Sequence, residues 1–415
     1  MSFFDLACRS CGSRRVELFL DLGEQPHCNR LIPPELADRQ EPAYPLRAGF
    51  CHDCTLVQID YTIPKEDMFS DYPYVSGTTR TLTEHFQDTA RRLTAAYGLA
   101  EGDLVVDIGS NDGTALKAYQ GLGLRTLGVE PAGNVAALAK AAGVPTLNTF
   151  FNDPTAETIL ESHGAARLIT AAGVFFHLEE LHSVCEGVRR LLAPDGVFCV
   201  QAIYLGGMIE NTAFDQIYHE HLCYYTLRSL SALLEPHGLE VFAVDLKPIH
   251  GGTLEAHVAL KGARSPADSV ARLREAEAAA GLDRLDTYQA FAERVWRLRD
   301  DLVAALEAQH ARGRTVHAYS APAKGATLLN AFGLDTRLIA CAVERNPLKF
   351  NRLIPGARIP IRDEAATPRP DAYLMLAWNF LDEFLVKERG FLEAGGEFIV
   401  PVPQVRVIGA QDLPR

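Results

Sequence analysis

From about residue 100 onward the chain alternates short apolar runs with segments of helical period. Residues 104–108 (Leu-Val-Val-Asp-Ile) and 124–130 are apolar enough to read as buried strands, and 136–142, closed by Gly143, reads as a helix. Residues 166–173 and 196–201 read as further buried strands, separated by a helical stretch over 179–192. Strands alternating with helices of this length predict a parallel, doubly wound α/β sheet. Ser265-Pro266 marks a helix start, with Ser265 as N-cap and Pro266 at the first helical position. The Ala/Leu/Arg/Glu-rich segments that follow, broken at Gly281-Leu282-Asp283, are expected to be connecting helices reaching about residue 311. Alternation then resumes, with strands predicted at 315–319, 338–343, 372–377 and 397–402 and a helix at 323–331, which makes a second parallel α/β unit. The first 65 residues are different. They read as short and loop-rich, punctuated by Pro26, Pro33, Pro34, Pro42 and Pro45, and such a segment has little core and needs a staple. The resulting division is 1–68, 69–245 and 246–415.

Composition narrows the class. A chain of 415 residues is too long for one core, and 47% hydrophobic with 22% charged residues is ordinary for a soluble globular protein. No stretch approaches the roughly 20 unbroken apolar residues that span a bilayer, and the start lacks the layout of a secretory signal, so no membrane association is expected. The net charge of -13, with no Lys/Arg-rich tract, disfavours a nucleic-acid partner, which needs a cationic face, but leaves small acidic metabolites open. Nine cysteines, an odd count, suggest reduced thiols and a cytoplasmic location.

Four of those cysteines form two pairs, Cys8-x-x-Cys11 and Cys51-x-x-Cys54, the spacing of a tetrahedral zinc site. With four thiolates no ligand position stays open, so the metal is expected to be structural. The segment Asp107-Ile108-Gly109-Ser110-Asn111-Asp112-Gly113 joins a buried strand to a helix that begins near Thr114. Its glycines, four apart, do not match a dinucleotide fingerprint, but they permit close backbone approach to a nucleotide at a helix N-terminus. Glu130 closes the next strand, where a carboxylate can accept both hydroxyls of a ribose. Asp107, Gly109, Asn111, Gly113, Glu130, Pro131 and Phe150 are therefore the candidate cofactor contacts, the cofactor being S-adenosylmethionine as methyltransferases hold it.

Candidate catalytic residues follow in Phe214-Asp215-Gln216-Ile217-Tyr218-His219-Glu220-His221-Leu222, just past the fifth strand. If the segment is helical, Tyr218 and His221 share a face. A histidine titrating near neutrality suits removal of a proton from carbon beside a carbonyl, and Glu220 can orient the ring or polarise a substrate group. His177 falls at the same rim. An ordinary amphipathic surface patch is the alternative. Tyr72-Pro73-Tyr74 is a lid or an aromatic linker. Tyr319, Lys324, Asn346, Lys349 and Asn379 follow strands of the carboxyl third, where N–H groups and an ammonium can meet phosphate; solvated surface positions are the alternative.

The whole layout resembles the S-adenosylmethionine-dependent deoxysugar C-methyltransferases, in particular those acting at carbon three of nucleotide-linked amino-keto sugars. The residues that carry the resemblance are the four paired cysteines, Tyr72-Pro73-Tyr74, Phe214 to Tyr218 with Glu220-His221, His250-Gly251-Gly252, Ala323-Lys324 and Pro355-Gly356-Ala357-Arg358-Ile359-Pro360. It implies a small N-terminal zinc-binding module, a central class I methyltransferase Rossmann-like domain and a C-terminal second Rossmann-like α/β domain that helps hold a dTDP-linked sugar, in a monomer. It further implies His221 as general base, Tyr218, Glu220, His177 and Tyr72 lining the sugar, and Tyr74 among the substrate contacts. Gly173 and His219 stand where a member of that family has Asn and Asp. Methylation of oxygen or nitrogen on another small metabolite, RNA modification, or catalytically idle sugar-nucleotide binding are the competing readings.

Overall fold

The computed structural model describes residues 5–413 except 71, 73, 74, 79 and 248–251, so Tyr74 and His250-Gly251 lie outside the described residues. Near the amino end, β1 (Val16–Pro26), β2 (Ala43–Cys51) and β3 (Val57–Ile59) form an antiparallel meander. The expected loop-rich character is thus corrected: β1 and β2 are 11 and 9 residues long. Their inward side chains Val16, Leu20, Leu46 and Phe50 are at most 2% exposed. Pro45 is tolerated inside β2 because the register shifts between Asp21 and Glu24 of the facing strand, opposite it.

Helices α1 (Lys65–Phe69) and α2 (Arg80–Tyr97) lead to the first large sheet. The chain then runs through β4 (Leu104–Ile108), α3 (Thr114–Gln120), β5 (Arg125–Val129), α4 (Gly133–Ala141), β6 (Thr146–Leu147), α5 (Asp153–His163), β7 (Ala166–Ala172), α6 (Leu181–Leu191) and β8 (Leu192–Ile203). It continues through α7 (Leu205–Glu210), β9 (Cys223–Tyr224), α8 (Leu227–Leu234), β10 (Leu239–Lys247) and β11 (Thr253–Leu260). Seven of these strands make one sheet in the order β10-β11-β8-β7-β4-β5-β6. Among the described strands β11 is antiparallel to both β10 and β8, and the other neighbouring pairs are parallel. All five residues of β4 are buried, which explains an apolar run interrupted only by Asp107. The exception, β9, pairs with β3 and stitches the N-terminal sheet to the loop after β8.

Helix α9 (Asp268–Ala279) starts later than Ser265-Pro266 suggests, capped by no side chain. The Ala267 N–H is drawn to the Phe242 carbonyl at 2.7 Å, which keeps the chain extended past Pro266. Helix α10 (Leu285–Ala311) then crosses to a six-stranded sheet. This sheet contains β12 (Val316–Tyr319), β13 (Ala342–Glu344), β14 (Ile361–Asp363), β15 (Ala372–Met375), β16 (Glu397–Val400) and β17 (Arg406–Ile408), ordered β14-β13-β12-β15-β16-β17 with only β17 antiparallel. Helix α11 (Ala323–Phe332) follows β12. The strand expected over 338–343 is shorter and shifted, because the Leu338 and Ile339 N–H groups turn back to Asp335.

One buried cluster runs through all three sheets. Phe50 stacks on Tyr288 of α10 with ring centroids 5.0 Å apart, and Phe19 lies 5.3 Å from the same ring. The Ile32 and Leu353 backbones exchange hydrogen bonds of 3.0 and 2.9 Å, tying the N-terminal segment to the carboxyl third. Among the described residues no helix is long and apolar enough to cross a membrane. Truncating Phe50, a fully buried aromatic, empties this junction; Phe50→Ala is expected to cost about 3–5 kcal/mol, read as a lowered denaturant midpoint with the far-ultraviolet spectrum retained.

Candidate active site

Where β4 ends inside the sheet the chain must turn at once. Gly109 does so at φ +70°, and a Cβ there would lie 2.7 Å from Val174 Cγ2, so only glycine fits. Its N–H bonds the Val129 carbonyl at 2.8 Å, holding the turn against the end of β5. The next residue of that strand is Glu130, whose Oε2 accepts the Asn111 N–H and whose Oε1 accepts the Ala132 N–H, both at 2.8 Å. Burial, partly offset by those two bonds, holds the Glu130 carboxyl above its ordinary range. Each oxygen keeps a further lone pair for a hydroxyl donor.

Asp107 and Gly113 frame this turn without facing its opening. Asp107 is buried and accepts the Thr170 hydroxyl at 2.6 Å, and burial pushes its pKa up to about 7. Gly113, at φ +77°, precedes α3 and packs against Val144.

The opening is a cavity of about 1030 Å³ between the carboxyl edges of the two parallel sheets. Both edges meet it at their topological switch points, β4 between β5 and β7 and β12 between β13 and β15. Gly109, Asn111, Glu130, Pro131 and Phe150 line one side, and Lys324, Asn346, Lys349 and Asn379 the other, with Tyr72, His177, Tyr218 and His221 between them. Gly173 is on the wall at φ +74°, with no atom within 4 Å of where a Cβ would sit, so its lack of a side chain leaves room in the cavity.

The segment carrying Tyr218 and His221 is not a helix. After a 3-10 turn at Phe214–Gln216 it makes a tight turn, His221 N–H to the Tyr218 carbonyl at 2.8 Å, and then joins β9. The Leu222 N–H goes to the Phe176 carbonyl at 2.8 Å, outside the segment, so beyond the single turn no helical ladder forms. Tyr218 and His221 still meet, with ring centroids 3.8 Å apart, and His177 lies 5.0 Å from His221. His221 Nδ1 donates to the Gln216 carbonyl at 2.8 Å, and His177 Nδ1 to the Glu220 carbonyl at 2.5 Å. A carbonyl only accepts, so in each neutral ring the proton is on Nδ1 and the basic lone pair on Nε2. Burial lowers the pKa of His177 and raises that of Tyr218, keeping the imidazole neutral and the phenol protonated.

Glu220 is fully buried behind this wall. Its carboxylate accepts Asn29 Nδ2 at 2.6 Å and the Tyr72 hydroxyl at 3.0 Å, and His27 Nε2 lies 3.1 Å away. Burial alone would raise its pKa, but His27, His177 and Asn29 more than offset that and hold it below the usual carboxylate range. Glu220 therefore fixes Tyr72 and, through its own carbonyl, His177. Asn29 and His27 carry no sequence signal, since they lie about 190 residues from Glu220.

Across the cavity, Lys324 Nζ donates to Asn379 Oδ1 at 2.6 Å and sits 4.0 Å over the Trp378 ring. Burial, opposed by the Asp215 charge, pulls its pKa down to about 8. Asp215 in turn accepts Trp378 Nε1 at 2.7 Å, so this contact also joins the two sheets. Lys349 Nζ donates to the Ala321 carbonyl at 2.9 Å, and Asn346 caps the Leu348 N–H at 3.0 Å. Tyr319 does not line the cavity. Its ring packs on Tyr373 and Phe384, and its hydroxyl bonds Glu388 at 3.0 Å, on the other face of β12.

The four paired cysteines converge as expected. Cys8 and Cys54 Sγ are 3.4 Å apart, Cys11 and Cys51 Sγ 3.6 Å, and all four lie within 4.8 Å of one another. A zinc ion with bonds of about 2.3 Å sets sulfur–sulfur edges of about 3.8 Å, so the cage fits that metal. A second cluster, Cys199, Glu255 and His257, differs: Arg92 and Gln201 already hold the Glu255 carboxylate, each at 2.7 Å.

Three family models match the chain in succession: a zinc binding domain over residues 8–69, a methyltransferase domain over 80–244 and a C-methyltransferase C-terminal domain over 248–403. Among curated proteins it is 37% identical to C-methyltransferase NovU of Streptomyces niveus over 407 residues, 97% of each chain. Among solved structures, an S-adenosylmethionine-dependent methyltransferase from Clostridium acetobutylicum shares 13% identity at a TM-score of 0.34, covering 43% of this chain and 92% of that one. Magnesium protoporphyrin IX methyltransferase from Synechocystis, with bound SAM, shares 12% at 0.32, covering 43% and 81%.

Metal analysis of purified protein is expected to give one zinc per chain, and Cys51→Ser to lose most of it; full zinc content in that variant would contradict the four-thiolate cage. His219, in contact with Tyr44 and with Nε2 donating to the Pro45 carbonyl at 3.2 Å, has its pKa pushed down to about 4, chiefly by burial, from an ordinary 6.5. The unfolded chain takes up that proton near pH 6.5 and the folded one only near pH 4. Its stabilising contribution is therefore complete above that window and lost as pH falls through it. Denaturant midpoints measured across the window are expected to fall less steeply in His219→Gln than in the natural chain.

Proposed function

Given that the chain belongs to the C-methyltransferase family, we propose that it methylates a ring carbon beside the keto group of a dTDP-linked 4-keto-deoxysugar. It is an S-adenosylmethionine-dependent methyltransferase with a zinc-binding module, and the sugar acceptor and the base are the finer reading. One observation carries that reading: two histidines with Nδ1 bound to backbone carbonyls face a cavity shared by two nucleotide-type strand edges.

Bound at the turn after β4, S-adenosylmethionine supplies an electrophilic methyl group on a good leaving group. Gly109 gives it close backbone approach, Glu130 accepts its ribose hydroxyls, and Asn111, Pro131 and Phe150 complete the wall. His221 Nε2 takes the proton from the acidified C–H beside the substrate carbonyl. Tyr218, kept protonated by burial, donates toward the enolate oxygen and stabilises the charge that develops there. The deprotonated carbon would be the nucleophile toward that methyl group, whose bond to the donor sulfur would break as S-adenosylhomocysteine leaves. His177 and Tyr72, both fixed by Glu220, hold the sugar ring, and Lys324, Lys349, Asn346 and Asn379 hold its diphosphate and base. None of these steps uses the zinc, since four thiolates leave it no open position, and it holds the module together.

The test measures methyl transfer by mass spectrometry on dTDP-4-keto sugars, together with solvent deuterium exchange at the carbon beside the ketone. His221→Ala is expected to lose about 10²–10⁴-fold in turnover and to lose exchange, with S-adenosylhomocysteine affinity unchanged. Normal turnover in that variant would remove His221 as base. Methylation without exchange in the natural enzyme would point to an oxygen or nitrogen acceptor instead.

A further inference from the structure

The strand edge that faces the methyl-donor turn repeats that turn's hydrogen bonding. After β4, Gly109 turns at φ +70° and its N–H bonds the Val129 carbonyl at 2.8 Å; after β12, Ser320 turns at φ +71° and its N–H bonds the Val343 carbonyl at 2.9 Å. The residue after Val129 is Glu130, and the residue after Val343 is Glu344. Glu130 accepts an N–H from the facing turn (Asn111) and one from two residues ahead (Ala132). Glu344 accepts from the facing turn (Ala321, 3.2 Å) and from two residues ahead (Asn346, 3.2 Å), with Arg345 N–H added at 2.8 Å; unlike Glu130 it also meets the Ser320 hydroxyl at 3.4 Å and pairs with Lys349 Nζ at 3.5 Å. Each carboxylate ends the strand beside the first strand of its sheet, and both line the one cavity. Ser320 is not glycine, so its left-handed backbone is a strained conformation.

From this correspondence we infer that Glu344 accepts a pentose hydroxyl of the acceptor substrate's nucleotide and so contributes to selection of that nucleotide. The inference rests on the nucleotide-sugar reading above. A carboxylate repels phosphate and attracts hydroxyl donors, so Glu344 divides the labour with Lys324 and Lys349: the lysines take the diphosphate and Glu344 the sugar of the nucleoside. For a thymidine nucleotide, which lacks the 2′-hydroxyl, the donor is the 3′-hydroxyl.

The experiment is a four-way binding comparison with S-adenosylhomocysteine saturating. Thymidine diphosphate and its 2′,3′-dideoxy analogue are titrated into the natural chain and into Glu344→Ala. The natural chain is expected to bind the analogue roughly tenfold more weakly, as for a lost hydrogen bond to a charged acceptor. The variant is expected to bind both ligands alike, with S-adenosylhomocysteine affinity unchanged. If Glu344→Ala does not fold, Glu344→Gln replaces it, with the ratio expected to shrink. Equal binding of the two ligands by the natural chain, or full discrimination surviving in the variant, overturns the role of Glu344 and leaves the nucleotide reading standing. No binding of thymidine diphosphate at all overturns that reading and this inference together. Two S-adenosylhomocysteines per chain, one displaced by thymidine diphosphate, would assign the edge to the methyl donor instead and likewise overturn it.

Discussion

Backbone N–H groups at the ends of buried strands and helices have no water to bond, and here carboxylates meet them. Glu130 accepts two such donors at one sheet edge, and Glu344 accepts three part-buried or exposed ones at the other. Glu277 does the same at the start of α8, accepting the Leu227 and Arg228 N–H groups at 2.7 and 3.2 Å while only 4% exposed. An unpaired buried donor costs about 1–3 kcal/mol, so Glu130 and Glu277 stabilise the turns they close. Two of the three, Glu130 and Glu344, also line the cavity between the sheets.

The second constraint is the fixed relation of the two large sheets. A cavity with one wall from each sheet keeps its shape only if the sheets cannot slide. Asp215 bonding Trp378 beside Lys324, the Ile32–Leu353 exchange, and Glu41 accepting from the Gly356 N–H and the Arg358 guanidinium at 2.8 Å each supply that tie. Two of the three run through the N-terminal segment, which therefore braces the sheets as well as carrying the metal cage.

Sequence reasoning reached the parts of this architecture that are local. The apolar run at 104–108 and its glycine turn, the acidic end of the next strand, and two cysteine pairs each declare themselves within a few residues. What it missed depends on distant contacts. The N-terminal strands were obscured by prolines whose missing donors a register shift accommodates. The 214–222 segment has helical spacing, but its backbone partners come from Phe176 and its own turn. Tyr319 occupies a strand end, but strand position alone does not say which face of the sheet a side chain takes. Asn29 reaches Glu220 across 191 positions of sequence, and His27 across slightly more, and Glu344 acquires meaning only when the two sheet edges are compared.

The pairing of β3 with β9 has one more consequence. Val57–Ile59 follows Cys54 by three residues, and Cys223–Tyr224 follows His221 by two, so some 165 positions of sequence collapse to adjacent strands. The amino-terminal unit is accordingly not a detachable cassette. Chimeras that exchange it between relatives to retune acceptor preference would inherit a new footing for the imidazole as well, and any change in turnover would have to be credited to both.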